Sequence, residues 1–178
     1  MNFTQGFNPV PKASFSPALP VGTESLAEYL DIDLVDAITN EAELLESLNN
    51  QLPAGITIKA VSDVPDKKNA VAEKSLISYQ IKFDRSLSGE DKEKLKNFMS
   101  SESYSITKFR KGKKRVIDVR KQVESLVESA DNSIEMILLI EAGKAAIKPV
   151  EILKAVLELT REQSLNMSIL KVWNRSSN

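Results

Sequence analysis

The residues best suited to chemistry lie between Lys108 and Lys121. Lys108, Arg110, Lys111, Lys113, Lys114, Arg115, Arg120 and Lys121 are eight cations set against one carboxylate, Asp118. The chain as a whole carries a formal charge of only -1, and the offset lies in the first 65 residues, with nine acids and two bases. A charge asymmetry of this kind bears on partners rather than on fold. Lys111-Gly112 reads as a turn between two strands, with Lys111, Lys113 and Lys114 at its tip and Phe109 and Arg110 at its base. Flexible cations around a turn suit a phosphate backbone, and Phe109 or Tyr104 could stack on an unpaired base. The expected RNA contacts are Lys108, Phe109, Arg110, Lys111, Lys113, Lys114, Arg115 and Arg120. Two other readings stay open: a lysine-rich edge that blocks aggregation, and a patch that docks on an acidic protein.

Other chemistry is scarce. With no Cys and no His, the chain has no disulfide, no thiolate nucleophile and none of the usual ligands for zinc or iron–sulfur clusters. Asp31 and Asp33 alternate and share a strand face, where oxygen ligands could hold a hard cation, but no third ligand joins them at loop spacing. Gly143, before Lys144 and Pro149, invites comparison with phosphate loops, yet GxxxxGK[ST] is absent and Pro149 removes a donor. The expectation is a non-enzyme with no metal and no cofactor in this chain. No apolar run approaches the roughly 20 residues of a membrane helix and Met1 opens no secretory leader, so a cytoplasmic, membrane-free protein is expected.

Hydrophobic content of 42 % with 28 % charge is enough for a core. The Pro-rich stretch from Gly6 to Gly22 leaves room for a short edge strand near Ala13 to Ser16. Leu30, Ile32 and Leu34 alternate as a strand, and Asn40 with Glu43 opens a helix through Leu44, Leu45, Leu48 and Leu52. A further strand follows from Ile56 to about Val64, and a boundary is placed at the turn-rich Pro65 to Asn69.

In the second half, Ile77, Tyr79, Ile81 and Phe83 predict a strand, and Ser88 with Asp91 starts a helix through Leu95, Phe98 and Met99. The basic hairpin comes next. Val119, Val123, Leu126 and Val127 then predict a helix, and Ile134 to Ile140 a central strand. Pro149 starts one more helix, Met167 to Trp173 closes as a strand, and Trp173 is expected in the core. The expected class is α+β: two ferredoxin-like (βαββαβ) units in tandem, the first (1–65) lacking its opening strand and helix. The second (66–178) is complete, with an extra C-terminal helix and strand.

Gly6-Phe7-Asn8-Pro9, the run from Ser14 to Gly22, and Glu24-Ser25 with Glu28-Tyr29-Leu30-Asp31-Ile32 resemble the signature of the radical SAM-linked protein family. Lys111 to Arg120 and Lys148 to Leu153 resemble further segments of it. The resemblance implies a radical SAM partner, adjacent or fused, that carries the iron–sulfur cysteines, and it assigns no reaction to this domain. Gly6, Phe7, Asn8, Pro9, Glu28 and Tyr29 enter as motif residues of unknown role. Family members have a basic strand and helix before the glycine motif and a His where Val10 stands, so a truncated domain is expected. Such a domain would self-associate through the incomplete first unit.

The functional expectation is a non-catalytic accessory domain that presents RNA, tRNA or rRNA, to a radical SAM enzyme. The alternative is a protein-interaction module that docks the same partner without RNA. A carboxylate-based enzyme ranks below both, since no paired acids in an enclosed pocket are visible.

Overall fold

A computed structural model describes residues 1–16, 18–63, 74–110, 112–141 and 147–176. The protein is a mixed α+β chain. In order it forms β1 (Ala13–Phe15), β2 (Thr23–Ser25), β3 (Leu30–Ile32), α1 (Glu41–Asn49), β4 (Lys74–Lys82), α2 (Gly89–Ser100), β5 (Ser105–Arg110) and β6 (Lys113–Asp118). There follow a 3-10 turn (Arg120–Gln122), β7 (Val123–Ala130), β8 (Ser133–Glu141), α3 (Pro149–Val156), α4 (Arg161–Leu165) and β9 (Ser168–Ser176).

These elements divide into two compact units. One comprises Met1–Phe15 with Leu30–Ala70, the other Ser16–Tyr29 with Val71–Asn178. Ser16–Tyr29 groups with the second unit, and the boundary expected at Pro65 to Asn69 lies outside the described residues.

In the first unit β1 and β3 pair antiparallel, Phe15 opposite Leu30. Helix α1 starts after Asn40, whose backbone is extended and whose side-chain oxygen accepts from the Glu43 N–H at 3.2 Å. The strand expected from Ile56 to Val64 does not form over residues 56–63. Asn49 instead brackets Ile58, accepting from its N–H and donating to its carbonyl, and so occupies the backbone groups a ladder would need. Among the described residues the unit buries no large hydrophobic side chain, and the Phe15 and Leu30 pair stays exposed.

The second unit holds the core. Its five-stranded sheet runs β2-β9-β4-β8-β7, with β2 parallel to β9 and the other pairings antiparallel. Ile77, Tyr79 and Ile81 of β4 and Ile134, Met136 and Leu138 of β8 pack in one cluster with Leu95 and Phe98 of α2 and Ile152, Leu153 and Val156 of α3. Each such side chain contributes about 1.5–3 kcal/mol when buried, which is why stability concentrates in this unit. Helix α2 has a reciprocal capping box between Ser88 and Asp91. In α3, Pro149 sits in the first turn, and the Glu151 carboxylate accepts from the Lys148 N–H at 3.1 Å.

One element departs in kind from expectation: Val123–Ala130 is a strand, not a helix. The ladder with β8 slips between Val123 and Ser125, so Val123 opposes Leu138 and Leu126 opposes Met136, and both point inward three positions apart. A bulge therefore imitates helical spacing. The C-terminal helix α3 and strand β9 contribute Ile152, Leu153, Val156 and Ile169 to the core cluster. Trp173 is half-buried in β9 rather than a core plug.

Candidate nucleic-acid interface

The basic segment folds as the antiparallel hairpin β5–β6, turning at Gly112, whose φ of 75° is left-handed and favours a residue without Cβ. The register sets Lys108 opposite Arg115 and Arg110 opposite Lys113. The first of these pairs opposes like charges, an arrangement that costs a few tenths to about 1 kcal/mol unless an anion intervenes. Lys114, Arg115 and Val116 are exposed, and neither Lys114 nor Arg115 has a carboxylate within ion-pair distance among the described residues.

Lys108 is different. It is half-buried, and its Nζ lies 2.6 Å from Glu151 Oε2 on α3. Lys111 and the side chains of Phe109, Arg110 and Lys113 lie outside the described residues.

The foot of the hairpin is rigidly held. Asp118 Oδ1 accepts from the N–H groups of Tyr104 and Arg120 at 3.0 and 3.1 Å, while the Tyr104 hydroxyl donates to the Ala155 carbonyl at 2.9 Å. Arg120 donates through Nε and Nη2 to the Met99 carbonyl at the end of α2, and through Nη1 to that of Val123 at 2.8 Å. Its guanidinium also lies 5.8 Å from the centroid of Phe98, which meets Tyr104 edge to face at 5.2 Å. Arg120, expected among the RNA contacts, is engaged by the backbone beneath the hairpin. Tyr104, half-buried and hydrogen-bonded to α3, is committed to packing as well.

A second constellation gathers around Glu28. Its Oε1 accepts from Lys171 Nζ at 2.7 Å and from the Ser25 hydroxyl at 2.6 Å, and its Oε2 accepts from the Ser16 hydroxyl at 2.8 Å. Ser16 Oγ in turn accepts from the Tyr29 N–H. Burial alone would raise the Glu28 pKa, but the hydrogen bonds from Lys171, Ser25 and Ser16 outweigh it and hold the carboxyl below its usual range. Tyr79, opposite Lys171 in the ladder, is pushed up to about 12 by burial, with the Glu28 charge adding to the effect. Two motif residues thus have a place in the second unit. Gly6, Phe7, Asn8 and Pro9 belong to the first unit, where all four are exposed.

Lys171 escapes sequence reasoning because its partner is 143 positions away. The available signal is its place in the inward series Met167, Ile169, Lys171 of an apolar strand. Asp33 is held by Asn2 Nδ2 at 3.0 Å and Lys12 at 3.7 Å, and among the described residues no acidic group of three or more is placed to hold a metal ion. The Gly143 turn lies outside the described residues. No described helix is long and apolar enough to cross a membrane.

Fold and site together define an α+β protein whose core unit presents a clamped cationic hairpin. Residues 1–149 match the family model described as uncharacterized protein conserved in bacteria (DUF2344), and the chain belongs to that family. No curated protein and no solved structure matches it.

Proposed function

We propose that the protein is a non-catalytic accessory module that holds RNA on the β5–β6 hairpin and presents it to a partner enzyme of the radical SAM class. The observation that carries the RNA part is the exposure of Lys114 and Arg115 on β6, neither with a carboxylate within ion-pair distance among the described residues, which leaves both cations open to a phosphate chain. The partner class rests on the resemblance of the glycine motif and the Glu28-Tyr29 segment. Cytoplasmic location belongs to the same proposal, as does a ferredoxin-like reading of β9-β4-β8-β7 with α2 and α3, supported by their strand order.

Fluorescence anisotropy with single-stranded and stem-loop RNA between 50 and 200 mM salt tests the reading. Log K should fall linearly with log salt, by about 0.7 per phosphate neutralised on a single strand. Changing Lys111, Lys113, Lys114 and Arg115 together to Ala should flatten that slope by about 3. Absence of binding at 50 mM salt, or an undiminished quadruple variant, refutes it.

Val116 supports the second reading, since it is 60 % exposed among the hairpin cations and suits a protein surface better than a phosphate chain. Copurification with a radical SAM protein that survives nuclease treatment, without RNA affinity, would select that alternative. Self-association would use the exposed Phe15 and Leu30 pair, and light scattering showing only monomer at high concentration removes it.

A further inference from the structure

Lys108 is the one described hairpin cation with a carboxylate against it, and that carboxylate is fixed from elsewhere. Glu151 stands in the first turn of α3, where its Oε2 accepts from the Lys148 N–H at 3.1 Å and where the helix macrodipole favours negative charge. The same oxygen lies 2.6 Å from Lys108 Nζ. Glu151 is therefore held in position whether or not Lys108 is there. It meets the hairpin at the register position where Lys108 opposes Arg115.

We propose that Glu151 is a built-in competitor for the hairpin's polyanionic ligand, a carboxylate that takes the place of a phosphate on Lys108 and must give it up when RNA binds. The inference rests on the hairpin being the RNA site. It reads Glu151 as a brake on affinity rather than as a strut that props the hairpin in its binding posture. The two side chains are 30 % and 36 % exposed, so their pairing is of the partly screened kind that a multivalent anion can displace. Release of such a pair corresponds to about three- to fivefold in affinity.

The test uses the full-length chain and a fluorescein-labelled poly(U) oligonucleotide, with anisotropy followed against salt. Glu151→Gln keeps an oxygen for the Lys148 N–H, so α3 retains its cap, and a thermal melt checks this. The variant should bind about three- to fivefold more tightly than wild type with nearly the same salt slope, because Lys108 reaches one phosphate in both and only wild type must first break the Glu151 pair. Lys108→Met should change little in the wild-type background yet abolish the gain in the Glu151→Gln background, a coupling that a double-mutant cycle isolates.

An affinity for Glu151→Gln equal to or below wild type, while Arg115→Ala still weakens wild-type binding, overturns the competitor role and leaves the hairpin reading intact. Failure of wild type and Glu151→Gln alike to bind poly(U) at low salt overturns both.

Discussion

Glu28 and Lys171, 143 positions apart in the chain, meet at 2.7 Å, with the lysine wholly buried and the glutamate partly open to solvent. The pair anchors Ser16–Tyr29 to the sheet edge, because β2 of that segment runs parallel to β9 and Glu28 follows it by three residues. A three-residue parallel strand is a weak attachment on its own. The carboxylate, with its two serine donors, supplies what the short ladder lacks.

The two partners should not be equivalent in mutation. Glu28→Gln leaves a buried ammonium without its counter-charge and should cost about 3 kcal/mol in urea unfolding. Lys171→Met removes the buried charge, fills the same space and leaves a part-exposed carboxylate that water can serve, so its cost should stay below about 1.5 kcal/mol. Equal costs would mean that the contact works through packing alone. Acidification acts in the same direction as Glu28→Gln: with its pKa held below the usual range, Glu28 contributes stability above that range and loses it as pH falls through the folded value.

Local signals were enough for some elements and misleading for others. The starts of α1 and α2 are legible at Asn40–Glu43 and Ser88–Asp91, because a capping residue and its partner lie within one turn. The β5–β6 turn is legible from Lys111-Gly112 for the same reason. Strand β7 is not, since a bulge converts alternation into the three-residue spacing of Val123 and Leu126. Nor is the division of labour among the cations: Arg120 and Arg115 look alike in sequence, and the carbonyls of Met99 and Val123 beneath Arg120 distinguish them.

Asp91 should set an acid limb of the unfolding curve. Hydrogen bonds from Arg85 chiefly, with those from Ser88, hold its carboxyl at about 2 against the opposing effect of burial. A depressed folded pKa means that the stabilisation is complete above the ordinary aspartate value near 4 and is lost progressively as pH falls towards 2. Asp91→Asn should cost about 1–2 kcal/mol at pH 7, and its difference from wild type should shrink towards nothing as pH falls through about 2. A difference that persists undiminished at pH 2 would show that the carboxylate charge contributes nothing.

Gly112 turns the hairpin at a φ of 75°, with nothing within 4 Å of where a Cβ would be. Space is therefore not the obstacle to substitution; backbone conformation is. Gly112→Ala should destabilise by about 1 kcal/mol and Gly112→Asn by less, since Asn tolerates the left-handed region. Amide exchange in β5 and β6 would detect this, with faster exchange for Ala than for Asn and little change in β4. A wild-type exchange pattern in Gly112→Ala would sink the argument.

Arg115 and Arg120 provide the sharpest separation of binding from folding within one basic segment. Arg115 is exposed on β6, so Arg115→Met should leave stability within about 0.5 kcal/mol of wild type while weakening RNA binding. Arg120 donates three hydrogen bonds to the carbonyls of Met99 and Val123 and stacks over Phe98. Arg120→Met should cost about 2 kcal/mol, because two carbonyls lose charged donors and the hairpin foot loses its link to α2. At a temperature where Arg120→Met is still fully folded, its RNA affinity and salt slope should stay close to wild type, because its guanidinium is turned to the backbone. A loss of salt slope in the folded Arg120 variant equal to that of Arg115→Met would place Arg120 back among the phosphate contacts.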